Sequence, residues 1–348
     1  MIFNEFEKKI NSYLWAGYNI ENGCPRWILE NIKKKNDYSY SLKEAINIFD
    51  SVFDDIANKC NKQHIIPLSG GWDSRAILGA VIERFGAKSI TTVTYGSQGQ
   101  LDFEIGAAIA RDAGVKNIVV DLQEMLFTWE NIARAVKECP WVVIDGALFN
   151  STCWEYADSN STIWSGFLGG ITGGGLLSDL SYRQLKDSQK AALFSSKQQF
   201  FKEFSLCHPS YSFEKALPKS TDNTFCDKYL YWYFMRQTNY IAPSLITRVQ
   251  LEDWTPLISR DDGKQIALHF LNRRWANYWL NAPDEALKKQ RLYLDILGSK
   301  FPRLFSLPSK YSFGMHPKKN YLLNLLKQIM QLESAYKINT HGSTYVQL

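Results

Sequence analysis

Between residues 41 and 122 the spacing of apolar and polar positions changes several times, and each change marks an element. From Ser41 the segment "LKEAINIFDSVFDDIANK" repeats its apolar residues at helical spacing. Ser41, with Glu44 three positions on, forms a capping box, so the helix is expected to start there. "HIIPL" is a short apolar run of strand type, and "SRAILGAVIERF" returns to a helical period that stops at Gly86. "SITTVTY" predicts a second strand, "DFEIGAAIARDA" a helix ended by Gly114, and "KNIVVDL" a third strand. A further helix is expected near 123–137 and a fourth strand at "STIWSG". Strands alternating with helices of this length predict parallel βαβ units with right-handed crossovers.

After about residue 180 the strand signal fades. Helix-like aromatic segments follow, among them "DKYLYWYFMRQTNY", "GKQIALHFLNRRWANYWL", "DEALKKQRLYLDIL" and "NYLLNLLKQIMQLESAY". No internal repeat or low-complexity linker interrupts them. The expected organisation is a short extension over 1–40, an α/β core over 41–180, a mostly helical lobe over 181–335 and a tail over 336–348. The expected fold class is α/β, a doubly wound parallel sheet with a C-terminal helical lobe, and the site is expected between core and lobe.

Composition narrows the function classes. The 348 residues are 45% apolar and 22% charged, close to an average globular protein. A net charge of +5 suits an anionic ligand but not the clustered basic footprint of a nucleic-acid binder. None of the six cysteines forms a C-x-x-C pair, and the five histidines (His64, His208, His269, His316, His341) have no metal-ligand spacing. The N-terminal segment carries charges through its apolar positions, unlike a signal peptide, and "IWSGFLGGITGGGLLSDL" is too glycine-rich and short to span a bilayer. A soluble cytoplasmic protein is expected, with neither a nucleic-acid nor a membrane partner.

The candidate chemistry concentrates in "PLSGGWDSRAIL". In open parallel sheets, ligands sit beyond the carboxyl ends of the strands, and this turn leaves the first strand of the set. Gly70 and Gly71 let the backbone approach an anion, the following helix offers unpaired N–H groups, and Ser69 and Ser74 add hydroxyls. Asp73 would repel phosphate directly but suits a Mg²⁺ that bridges to phosphate oxygens. The plainer alternative is a tight strand-to-helix turn capped by Asp73 or Ser74. Asp102 is at least as well suited to capping its helix as to touching a ligand.

The S-G-G-x-D-S pattern after an apolar strand resembles the signature of the PP-loop ATP pyrophosphatases, whose fold is adenine nucleotide α-hydrolase-like. Within that superfamily the chain is similar to the synthetase domain of asparagine synthetases, shared with β-lactam synthetases and lasso-peptide cyclases. The resemblance covers roughly residues 40 to 318. It rests on "TVTYGSQGQLDFEIGAAIARDAG" with Asp102, "IWSGFLGGITGG" with Ser165 and Gly166, "WTPLISRD", and "LPSKYSFG" with Lys310. Three departures stand out. Residue 2 is Ile rather than the catalytic Cys of glutamine-dependent members, and a glutaminase domain does not fit in the residues before the synthetase region. Phe167 and Gly170 stand where S-G-E-G-x-D-E has its Glu and Asp, and Ser259 stands where an Asp is usual. Asp145 and Asp179 are the candidates to replace the missing acid.

The resemblance implies an ATP-dependent, amide-forming ligase. It would adenylate a small-molecule, sugar or peptide carboxylate, release pyrophosphate, and transfer the acyl group to an amine or to ammonia from an outside source. Leu68, Ser69, Gly70, Gly71, Asp73 and Ser74 would form the nucleotide loop, with Tyr95, Gly96, Ser165 and Gly166 lining the adenosine pocket. Asp73 would hold Mg²⁺, Lys310 would stabilise charge on the transferring phosphate, and Arg75 would either pair with a carboxylate or phosphate of the ligand or neutralise Asp73 or Glu104. Two alternatives remain open: a catalytically weakened nucleotide-binding partner protein, and another PP-loop chemistry such as tRNA modification.

Overall fold

The computed structural model describes residues 41–124, 128–138, 153–166, 169–173, 256–270, 272–280, 282, 286 and 290–310. Ser41 opens helix α1 (Leu42–Ala57) with an extended backbone, and its side-chain oxygen accepts the Glu44 N–H at 3.3 Å. The helix buries Ala45, Phe49, Val52, Phe53 and Ile56, a single apolar stripe. There follow β1 (Gln63–Pro67), α2 (Trp72–Phe85), β2 (Ile90–Gly96), α3 (Leu101–Ala113), β3 (Lys116–Asp121), α4 (Trp129–Glu138) and β4 (Ser161–Trp164). Helices α2 and α3 stop at the expected glycines, Gly86 and Gly114, whose φ angles of 75° and 68° favour a residue without Cβ.

Two more strands, β5 (Leu257–Ser259) and β6 (Gln265–Ala267), complete a six-stranded sheet of order β3-β2-β1-β4-β6-β5. Every neighbouring pair is parallel except β5 and β6. β1 lies between β2, with His64 opposite Ile90, and β4, with Ile65 opposite Ile163. The strand order reverses at β1, the arrangement of a doubly wound sheet.

β5 and β6 fall in the stretch where the strand signal fades and a mostly helical lobe is expected. "WTPLISRD" and the start of "GKQIAL" instead form a hairpin, closed by Arg260 N–H to Lys264 O at 2.9 Å and Gly263 N–H to Arg260 O at 3.0 Å. β6 then pairs with β4, setting Ile266 opposite Ile163. The sheet therefore draws strands from both sides of residue 180.

Three helices follow: α6 (Arg273–Leu280) and α7 (Arg291–Lys300), which begin within the segments "GKQIALHFLNRRWANYWL" and "DEALKKQRLYLDIL", and α8 (Pro302–Ser306). α6 and α7 pack on α1 through an aromatic seam. Phe53 stacks on Trp164 at 4.7 Å, and Phe49 meets Trp275 and Phe301 edge-on at 5.8 and 6.0 Å. Above the seam, Arg84 of α2 pairs with Asp54 at 2.7 Å and Asp50 at 3.2 Å, while Lys300 of α7 reaches Asp50 at 2.7 Å. These ion pairs tie α1 to both α2 and α7. Among the described residues no helix is long and apolar enough to cross a membrane. The 1–40 extension, the 336–348 tail, and the segments "DKYLYWYFMRQTNY" and "NYLLNLLKQIMQLESAY" lie outside the described residues.

Candidate active site

The loop from Leu68 to Gly71 leaves β1 at the point where strand order reverses, and α2 begins directly after it with Gly71 as an extended N-cap. Its N–H groups point at oxygen acceptors. Ser69 N–H donates to Ser74 Oγ at 3.2 Å, Gly71 N–H to Ser69 Oγ at 3.2 Å, and Gly70 N–H to Asp102 Oδ1 at 3.0 Å. Lys310 arrives from the far end of the chain. Its backbone N–H donates to Gly70 O at 3.1 Å, and its ammonium binds the other oxygen of Asp102 at 3.0 Å, across 208 residues of sequence. Gly70 N–H and the Lys310 ammonium thus converge on one carboxylate. Asp102 is the second residue of α3, and Gln100, not Asp102, is the N-cap.

Asp73 accepts from two neutral donors. Tyr293 O–H donates to its Oδ1 at 2.7 Å and Gly170 N–H to its Oδ2 at 2.8 Å. Gln290 then fixes Gly170 by donating to its carbonyl at 3.0 Å, from a backbone in the left-handed region (φ 54°). Burial pushes the Asp73 carboxyl above its usual range, against the opposing pull of Tyr293, the Gly170 N–H and the charge of Lys310. The glycine-rich segment carrying helical turn α5 (Gly169–Thr172) lies close enough to exclude side chains. A Cβ on Gly169 would stand 2.5 Å from the Tyr293 hydroxyl and 2.7 Å from Asp73 Cγ. On Gly166 it would stand 2.8 Å from the Ser74 nitrogen. Gly170 offers no side-chain acid here, only a backbone N–H that donates to Asp73.

Arg75 departs from expectation. It is fully buried, and its guanidinium donates to backbone carbonyls: Leu304 and Leu307 at 3.0 Å each, Pro308 at 2.6 Å and, more weakly, Gly70 at 3.5 Å. Buried, with both terminal nitrogens committed to carbonyls of residues 304–308, it does not present its charge to a ligand. Leu68 is also buried, as part of the core. Tyr95 and Gly96 end β2, and Ser165 and Gly166 follow β4, so these four flank the β1 loop on its two neighbouring strands. Ser165 N–H is held by Ala267 O of β6 at 2.9 Å. Phe167, Asp145 and Asp179 lie outside the described residues. Sequence reasoning missed Tyr293 and Gln290, which reach the loop from a helix and its cap that carry no motif.

Among the described residues no group of three or more His, Cys, Asp or Glu gathers in a metal-binding arrangement. Mg²⁺ needs only one or two carboxylates when phosphate oxygens and water complete its shell. Asp73, with lone pairs left on both oxygens, fits as a sole protein ligand of that kind.

No family model matches the chain. Among solved structures, an NH3-dependent NAD synthetase from Campylobacter jejuni, in complex with the nitrate ion, is similar at 14% identity. That match covers 39% of this chain and 61% of that one, with a TM-score of 0.27. It spans less than two thirds of that protein and is too slight to bear on chemistry, which the residues of this chain must carry.

Proposed function

We propose that the chain is an ATP-dependent, amide-forming ligase that activates a carboxylate as its adenylate. The observation that carries this reading is the convergence of Gly70 N–H and the Lys310 ammonium on the Asp102 carboxylate. Two donors from opposite ends of the chain gather around an anionic oxygen pair, beside a helix N-terminus, at the switch point of a parallel sheet. Phosphate oxygens replacing Asp102 and the two serine hydroxyls would meet the same donors.

In the reaction, the substrate carboxylate attacks the α-phosphorus of ATP and pyrophosphate leaves. An amine then attacks the acyl carbon, AMP leaves, and the amine gives up a proton. The loop N–H groups and the Ser69 and Ser74 hydroxyls bind and orient the departing pyrophosphate, and Lys310 offsets charge as the phosphorus changes partners. Lys310 is 32% exposed, so a ligand can still reach it. Mg²⁺ on Asp73 would neutralise polyphosphate charge when bound. Tyr293 and Gly170 hold the Asp73 carboxylate in one orientation.

With ATP, Mg²⁺ and a panel of carboxylates and amines, the chain should release pyrophosphate. Lys310→Ala and Asp73→Ala should each lower turnover by on the order of a hundredfold or more. Undiminished turnover in both variants would sink these assignments. The neutral donors around Asp73 favour one second reading, a nucleotide-binding protein with weakened catalysis. ATP affinity that gains nothing from Mg²⁺, with no turnover on any carboxylate, would select it.

A further inference from the structure

Arg75 lies in the first turn of α2, next to Ser74, and no part of it is exposed. Its acceptors belong to one short stretch: the Leu304 carbonyl in α8, then Leu307 and Pro308, two residues before Lys310. The last carbonyls of a helix lack partners within it, and a guanidinium fork can collect several at once. The Gly70 carbonyl receives both the longer Arg75 contact and the backbone N–H of Lys310. One buried cation therefore connects the base of the loop to the segment that delivers the lysine. Packing alone does not call for it. A methionine would fill the space beside Phe305, whose ring lies 5.6 Å from the guanidinium carbon, without the cost of burying a charge.

We infer that Arg75 is a positioning residue: it clamps the 304–308 turn so that Lys310 docks on Gly70 with its ammonium at the loop, and it acts on a bound anion only through Lys310. The inference rests on the reading of the loop as a pyrophosphate site. It assigns Arg75 no contact with the ligand and makes the lysine's placement depend on hydrogen bonds to carbonyl oxygens.

The test is a double-mutant cycle on the full chain, with inorganic pyrophosphate and Mg²⁺ as the calorimetric probe. Arg75→Met should weaken pyrophosphate binding by on the order of tenfold, since a lysine displaced by about an ångström loses most of its value. Lys310→Ala should weaken it at least as much, and Arg75→Met combined with Lys310→Ala should be no weaker than Lys310→Ala alone. Independent, multiplying losses would overturn the inference, as would an Arg75→Met chain that melts lower but binds normally. Hydrogen exchange without ligand gives a second arm. Arg75→Met should speed exchange at residues 304–310 and leave β1 protected, and unchanged exchange at 304–310 would overturn the clamp. If the methionine variant does not fold, Arg75→Lys takes its place; it keeps the charge without the fork and should fall between wild type and Lys310→Ala. Wild-type affinity and unchanged exchange at 304–310 in Arg75→Lys would overturn the clamp as well. A wild-type chain that binds no pyrophosphate overturns the nucleotide reading and this inference together, whereas failure confined to the cycle overturns this inference alone.

Discussion

Asp73 is pressed into protein, while the Mg²⁺ site proposed for it requires the carboxylate to stay charged. Burial raises its pKa, and the Tyr293 hydroxyl at 2.7 Å and the Gly170 N–H at 2.8 Å partly offset that rise. Removing the hydroxyl with Tyr293→Phe should push the carboxyl further up. A group whose folded pKa lies above its unfolded value adds stability in acid and loses it as pH rises through the folded pKa. The variant should therefore lose about 1–3 kcal/mol at neutral pH, the worth of a hydrogen bond to a charged group, and less in mild acid, where a neutral carboxyl needs the donor less. Denaturant unfolding at the two pH values checks this, and an equal deficit at both would contradict it. Of the residues here, the loop could be read from sequence because its donors and hydroxyls are contiguous. Tyr293 could not, since it meets Asp73 across 220 residues, and the acceptors of Arg75 are backbone carbonyls that no side chain announces.

Among the elements, those between Ser41 and Asp121 were legible because each has a marked end: a capping serine, a glycine at positive φ, or a change of period. β5 and β6 were not, because three residues are too few to show alternation. The layer of α1, α6 and α7 against β4 carries its own pH dependence. His269 sits among Phe49, Phe53, Phe270 and Trp275, and neither ring nitrogen has a hydrogen-bond partner among the described residues. Burial, helped by the charge of Arg84, lowers its pKa to about 3. Burial likewise lowers His64 to about 4, and its Nδ1 accepts the Trp164 indole N–H at 3.1 Å. Both imidazoles are neutral in the fold but take up protons below about 6.5 once unfolded. Stability should hold above that pH and fall below about 6.5, towards about 4 for His64 and about 3 for His269, by roughly 1 kcal/mol per pH unit for each histidine. His269→Phe should flatten the slope in melts across this range. A slope unchanged by that substitution would contradict the assignment.

At the scale of the molecule, a doubly wound sheet brings three distant parts of the chain to one strand end: the β1 loop, the glycine segment after β4, and the stretch from Gln290 to Lys310. The first part resembles a nucleotide loop at the level of sequence, and the fold class follows from its alternating pattern. The convergence itself was not legible, because it depends on which elements pack together rather than on any local run. The function proposed for it makes one demand on atoms: an oxygen of the substrate carboxylate must end on phosphorus. The most direct measurement is turnover of a carboxylate labelled with heavy oxygen, with ATP, Mg²⁺ and an amine, followed by mass analysis of the nucleotide product. Adenylation predicts one labelled oxygen in AMP and none in pyrophosphate. Label appearing in orthophosphate alongside ADP, or amide formed with no label in AMP, would contradict it.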